Sequence, residues 1–457
     1  MYQVSTIIIT KTGDPELFHY CAGMTALCKN LSNAALFRIR QNFTARNKTS
    51  LTRNEQTVMD EIDAMVTMGY GKPGAVFSYT QMERLMRVTQ NPDFFAGLPM
   101  QSAQQTLKQV VSDFKAWLVS LKAYAKNPSA FTGKPRMPKY RKVEHTTVAI
   151  TNQDAVLREG VLKLPLTKLT VRVPHIQKSA DLREVKIIPY YGRYMISLTL
   201  DVAESALRTD MPCLAGVDFG TDNFAAIVST DHSSRIYKGG AILSGNRLFA
   251  KERAKAVSVI TKGREHMRAD SQHLRHISFK HACFNRDQCH KVSKSIVEYC
   301  LEHRCGTLVL GVNRFWKQNS GIGRVNNQKF VQMPIAKLRD IILYKAAVAG
   351  ITVIMQEESY TSKADCSSGD VIPVYGVNDK DASFSGKRIC RGLYRCGNGM
   401  IVNADCNGAA NTLRKAVPDA WRSCDDFSFL AYPEVIGFRL LNPVKPKHIP
   451  VKRIEAA

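Results

Sequence analysis

Three acids far apart in the chain stand where a strand or a helix could deliver each to one point. Asp218 ends the apolar strand in LAGVDFGTDN, Glu358 ends another in ITVIMQEESYTSK, and Asp405 opens an amphipathic helix in NADCNGAANTLRK. Carboxylate ligands of this kind suit hard divalent cations such as Mg²⁺ or Mn²⁺. Two such ions about 3.5–4 Å apart can activate a water and stabilise the leaving oxygen of a phosphodiester. A single Asp or Glu is an ordinary surface residue. The order and context of the three together predict a metal site.

The rest of the chain must position them. Its 457 residues predict two to four domains, and 44% apolar content is ample for cores. The formal charge of +25, from 64 Lys+Arg against 39 Asp+Glu, implies a polyanionic partner, most simply nucleic acid. No apolar run is long enough to span a bilayer. The opening MYQVSTIIITKTGDPELF has no basic leader before an apolar stretch, so a cytoplasmic protein is expected. Twelve cysteines in a chain this long read as reduced thiols, not a disulfide scaffold.

Along the chain, STIIIT reads as a strand and residues 21–129 as helical. The clearest helix carries Leu107, Val110, Val111, Phe114, Trp117, Leu118, Leu121 and Tyr124 at three- and four-residue steps, a core stripe. The Pro- and Lys-rich NPSAFTGKPRMPKYRK breaks it. Alternating strands over 145–203 suggest a small antiparallel barrel into which the helical block is inserted. From about residue 210, LAGVDFG, FAAIVST and RIYKGGAIL read as a meander. A basic helical region follows, with twelve Lys+Arg against four Asp+Glu between Gly245 and Lys294. Strand TLVLG, helix MPIAKLRDIILYKAAVAG and strand ITVIMQ alternate as α/β units. A Gly/Ser/Cys-rich insert spans 361–400. The stretch 418–457 has weak periodicity and is expected to be loose unless it binds RNA.

GVDFG with Asp218, HKVSKSIVEYC with His290, EESYTSK with Glu358 and NADCNGAANTLRK with Asp405 resemble, in this order, the TnpB family. These are the OrfB proteins of bacterial insertion sequences, ancestral to type V CRISPR effectors. Thr151–Gln153 and the GKPRMPKY linker are similar as well. The resemblance implies an α+β multidomain protein. A wedge β-barrel (1–20 and 130–205) would carry an inserted helical recognition lobe (21–129). An RNase H-like (RuvC) nuclease domain would follow (206–360 and 401–417), with a target-strand-loading or degenerate zinc-ribbon insert (361–400) and a C-terminal tail (418–457). The activity implied is RNA-guided DNA cleavage: a guide RNA pairs with target DNA while the protein reads a short adjacent motif. The implied partners are guide RNA and double-stranded DNA beside the bacterial nucleoid. A monomer is expected. Asp218, Glu358 and Asp405 would hold two Mg²⁺, leaving 5′-phosphate and 3′-hydroxyl ends. A compact CRISPR effector with the same chemistry is the nearest alternative. A nuclease-dead repressor and a strand-transfer transposase are further ones.

The chain departs from the family pattern twice. Where many relatives carry their second acid, TLVLGVNRFWKQ has Gly311, and Glu358 resembles an acid relocated to the next strand. Glu357 should face away from the site. Many relatives also have two Cys-x-x-Cys knuckles in the insert. Here Cys366 is followed by Ser-Ser-Gly, and Cys390 and Cys396 are six apart, so a zinc-free remnant is expected. Asn403, Asn407 and Asn411 read as caps, packing residues or groups that orient water or phosphate. Arg388, Arg391 and Arg395 are candidate strand-guiding cations. Phe315, Trp316 and Lys317 form an aromatic–basic cluster suited to core packing or to unpaired DNA.

Overall fold

The computed structural model describes residues 1–70, 78–174, 180–262, 264, 269–313, 331–377 and 382–441. They divide into two compact units, Met1–Ala203 and Glu204–Ala457.

In the first unit, β1 (Tyr2–Ile9) is followed by four helices: α1 (Pro15–Ala45), α2 (Arg53–Thr67), α3 (Tyr79–Val88) and α4 (Met100–Lys126). Asp14 caps α1 by accepting from the Leu17 N–H at 3.0 Å, while Thr52 and Ser78 open α2 and α3 with capping boxes. The strands that follow are β2 (Val148–Thr151), β3 (Val156–Arg158), β4 (Val161–Lys163), β5 (Thr170–Arg172), β6 (Asp181–Tyr190) and β7 (Arg193–Asp201). β1 returns to pair antiparallel with β7, Tyr2 opposite Asp201, so the helices are an insertion between sheet strands. One core unites them: Leu31, Leu107 and Phe114 from the helices, Val148, Val185 and Ile196 from the strands. The ladders do not form one continuous barrel among the described residues. β1-β7-β6-β2 make one sheet and β3-β4-β5 another. The three-residue strands β3, β4 and β5 pair only among themselves.

The second unit is a mixed α/β fold. It begins with β8 (Cys213–Asp218), β9 (Asn223–Ser229) and β10 (Ser233–Lys238), an antiparallel meander. The third strand stops at Lys238, because Gly239 and Gly240 open α5 (Gly240–Thr261), so Ala241, Ile242 and Leu243 are helical and not part of the strand. Then come α6 (Gln272–Glu302), β11 (Cys305–Val312), α7 (Ile335–Val348) and β12 (Thr352–Glu357). The insert contributes β13 (Lys387–Cys390), β14 (Leu393–Arg395) and β15 (Ile401–Asn403) as its own small sheet, and α8 (Ala404–Ala416) follows at once. The main sheet runs β12-β11-β8-β9-β10-β16, where β16 is Glu434–Ile436. β8, β11 and β12 are mutually parallel.

Alternation along the strands sorts the two faces. Val217, Ile227, Leu308 and Leu310 pack in one cluster with Ile296 of α6 and Ile342 of α7. Ala226, Val228 and Val309 pack on the other face, against Ala409 and Leu413 of α8. There α8 lies close on β8: a Cβ at Gly216 would stand 2.7 Å from the Leu413 Cβ. Of the stretch expected to be loose, residues 418–441 are packed in part, and residues 442–457 lie outside the described residues. Trp421, Phe427 and Leu430 join this second cluster, and the Trp421 indole donates to the Ala410 carbonyl at 3.1 Å.

Candidate active site

Asp218 is the last residue of β8, two positions beyond Gly216 and therefore on the face covered by α8. The close approach of that helix is visible again at Gly408, where a Cβ would lie 3.1 Å from Asp218 Oδ2. Asp405 sits in the first turn of the same helix, three residues before Gly408 and hence above it. The turn is fixed by Asn403, whose side-chain oxygen accepts from the Asp405 N–H at 3.0 Å and the Cys406 N–H at 3.2 Å. Of the residues weighed as caps, Asn403 takes that position.

Glu358 follows directly on β12, and its N–H donates to the Val312 carbonyl at 3.3 Å, extending the ladder to β11. Its carboxylate leans over Gly311: a Cβ built there would meet Glu358 Oε2 at 2.7 Å. The space that a side chain from 311 would enter is thus filled by an acid from the neighbouring strand. Glu357 does not line the cavity but faces away from it, its side chain 42% exposed. It accepts from Lys415 Nζ at 2.7 Å and from the Ser359 N–H at 2.7 Å, joining the strand end to the last turn of α8.

Asp218, Glu358 and Asp405 line one cavity of about 950 Å³. Burial pushes the Asp218 carboxyl well above the usual range, and the Glu358 and Asp405 carboxylates add to this while Arg388 opposes it. Burial, with Glu357 behind it, pushes Glu358 up to about 7. Acids crowded like this resist ionising together, and a divalent cation relieves that repulsion; the all-oxygen donor set suits Mg²⁺ or Mn²⁺. Among the described residues, no three His, Cys, Asp or Glu side chains are grouped tightly enough to hold one ion. The acids face a shared space instead of closing on one point.

Cations stand on the rim. Arg388 Nη2 lies 3.4 Å from Asp405 Oδ1, and Arg391 pairs with Asp222 at 2.5 Å; both line the cavity. Arg395, on the same hairpin, does not. Asn223 and Lys238 belong here too, although their sequence context does not single them out. Lys238 Nζ donates to Asn223 Oδ1 at 3.0 Å, and Asn223 Nδ2 donates to Asp405 Oδ2 at 2.5 Å. The signal lies in GTDN, a turn that must bring its Asn beside the end of β8. Asn407 and Asn411 hold the insert: they donate to the Ala364 carbonyl at 2.8 and 2.6 Å, and Asn411 also reaches the Thr361 carbonyl at 3.0 Å. Phe315, Trp316 and Lys317 lie outside the described residues.

Of the three cysteines weighed for zinc, Cys366 and Cys396 are buried beside α8, whereas Cys390 is exposed at the end of β13. These thiols are not brought to one metal-binding point. No described helix is long and apolar enough to cross a membrane.

Residues 204–315 match the OrfB_IS605 family, described as a probable transposase. Residues 336–412 match the Cas12f1-like TNB domain. Together the matched segments contain all three acids. The chain is 24% identical over 231 residues to the CRISPR-associated endodeoxyribonuclease Cas12f1 of Sulfoacidibacillus thermotolerans, covering 48% of this chain and 50% of that protein. It is 25% identical over 234 residues to Cas12f2 of a Micrarchaeota archaeon, covering 49% and 40%. The chain thus spans half or less of the length of these curated relatives. Among solved structures it resembles a Cas12f1–sgRNA–target DNA complex, with TM-score 0.47 and 12% identity over 88% of this chain and 84% of that one. It also resembles CasPhi-2 (Cas12j) bound to crRNA and phosphorothioate DNA, with TM-score 0.39 and 9% identity over 95% and 92%. The second unit therefore carries OrfB-transposase and Cas12f1-like sequence, as its motifs anticipated.

Proposed function

We propose that this protein is an RNA-guided DNA endonuclease of TnpB type, which hydrolyses target DNA phosphodiesters beside a short adjacent motif. The observation that carries the reading is the lining of one cavity by three acids from three distant segments, with Glu358 over Gly311. Asp218, Glu358 and Asp405 would hold two divalent cations, Mg²⁺ or Mn²⁺. When bound, these ions supply an activated water and a clamp on the leaving oxygen. The chain's own residues do the rest. Asn223 fixes one oxygen of Asp405, and Arg388 stands 3.4 Å from the other. Arg388, Arg391 and Lys238 draw a phosphate backbone toward the acids.

The +25 charge supports a guide RNA and target DNA as partners. In this reading the first unit comprises the wedge and recognition lobe and grips the heteroduplex, and 361–400 loads the strand to be cut. The names of the curated relatives favour one alternative, a compact CRISPR effector with the same chemistry. Sequencing RNA that co-purifies with the full chain, then testing cleavage of matching DNA with Mg²⁺, tests the proposal. Specific cutting by an RNA-free preparation, or none with the matched guide, would reject it.

A further inference from the structure

One fully buried carboxylate takes no part in the acid cavity. Asp365, in the insert, is 0% exposed. Its Oδ1 accepts from the Ser367 N–H at 2.9 Å and the Ser367 hydroxyl at 2.8 Å. Its Oδ2 accepts from the Ser368 hydroxyl at 2.7 Å, the Gly397 N–H at 2.6 Å and the Ser385 hydroxyl at 3.4 Å. These donors come from three stretches: the turn that Asp365 begins, the approach to β13, and the turn after β14. Asp370 reinforces the junction, accepting from the Asp365 N–H at 2.8 Å and from the Ser385 N–H and hydroxyl at 3.0 and 2.8 Å. The Arg414 guanidinium of α8 donates to the Asp370 carbonyl at 2.7 Å.

Two turns facing each other across one point are what a tetrahedral zinc holds in Cys-x-x-Cys ribbons. The residues here do not fit that ion. Cys390 is exposed while Cys366 and Cys396 are buried, and the point between the turns is taken by a carboxylate already supplied with donors from both sides. A buried carboxylate with this many donors is satisfied without a metal.

We propose that Asp365 is the positioning residue of the insert: its carboxylate crosslinks the two turns in place of a metal. It thereby sets the β13–β14 hairpin, which carries Arg388 and Arg391 to the acid cavity. The consequence for cleavage rests on the nuclease reading above; the crosslink does not.

The test compares Asp365→Ala, Asp365→Asn and Ser385→Ala with the parent, each as full chain with its co-purified RNA. Amide exchange of residues 385–402 should speed up about tenfold or more in Asp365→Ala while β8 and β9 keep their protection, because the opening is local. Asp365→Asn keeps an acceptor but turns an NH₂ toward N–H donors, so it should fall between, with Ser385→Ala nearest the parent. Single-turnover cleavage should fall about tenfold in Asp365→Ala with guided DNA affinity within about twofold, a split that general unfolding would not give. Elemental analysis of the parent should find no stoichiometric zinc. Should Asp365→Ala not fold, the graded exchange of the other two variants decides the matter. Unchanged exchange in all three variants overturns the crosslink, and so does one zinc per chain whose removal loosens the insert. Local loosening in a parent that cuts no guided DNA would reject the nuclease reading and leave the crosslink standing.

Discussion

Asp218 and Asp365 are two enclosed carboxylates in one unit, and their surroundings are opposites. Asp218 faces Glu358 and Asp405, and burial with those like charges drives its pKa up. Burial pushes Asp365 upward too, yet the Gly397, Ser368 and Ser367 donors outweigh it and hold the group below the usual carboxylate range. Desolvation is common to both; the neighbours decide the sign. An acid ringed with N–H and O–H donors is complete in itself, whereas an acid ringed with acids stays unfinished until cations arrive.

That contrast is broken most decisively at the unfinished site. Asp218→Ala or Asp405→Ala should each lower guided cleavage by about 1000-fold or more, the scale of losing a principal electrostatic stabiliser, while guided DNA binding persists. Near-parental cutting by either variant, measured with end-labelled DNA, would remove it from the site.

The next largest effect concerns the exchange between strands. Glu358→Ala should be as inactive as the aspartate variants. Adding Gly311→Glu to it should restore part of the rate, because both side chains enter the same space. Gly311→Ala alone should cost about 10–100-fold, since its Cβ would displace the Glu358 carboxylate and small misplacements are expensive. Full activity of Glu358→Ala would overturn the relocated acid.

Titration gives a subtler test. Glu358 is pushed up to about 7 from an ordinary value of 4.5. Below the ordinary value it is protonated folded or unfolded, and its contribution is intact. As pH climbs through about 7, the folded chain must hold a charge that its surroundings resist, and that contribution is lost. The cation-free protein should therefore lose Tm between about pH 5 and 8 relative to Glu358→Gln, and Mg²⁺ should raise Tm more at the upper end. Parallel pH profiles for the two proteins would contradict this.

The smallest effect belongs to Glu357. Its pair with Lys415 joins strand to helix outside the cavity, so Glu357→Ala should cost about 1 kcal/mol of stability and less than about tenfold in cleavage. A dead Glu357→Ala beside an active Glu358→Ala would reverse their roles.

Much of this was legible from residues alone. Asp218 and Asp405 announce themselves because a strand end and a capped helix start are local patterns. Glu358 was legible only in part: its strand is expected directly beside that of Asp218, but β11 lies between β12 and β8, and the acid reaches the site by leaning over Gly311. Asp365 was not legible, because Asp-Cys-Ser-Ser-Gly reads as an ordinary turn in which Asp accepts from its own following residues, and the other donors, Ser385 and Gly397, lie 20 and 32 positions away. Asn223 was missed because its partner lies 182 positions away. The three residues of β16 escaped notice for a different reason, having too few positions to display alternation.

That short strand has a practical bearing on shortening the molecule. Glu434–Ile436 runs parallel along Arg235, Ile236 and Tyr237, so the outer side of β10 is occupied by the chain's own C-terminal segment. A chain stopped after Val417 would retain every acid of the cavity. It would also lay bare a row of backbone donors and acceptors, a template on which strands from other copies can add. The segment that looks most dispensable to a protein engineer is the one that covers β10.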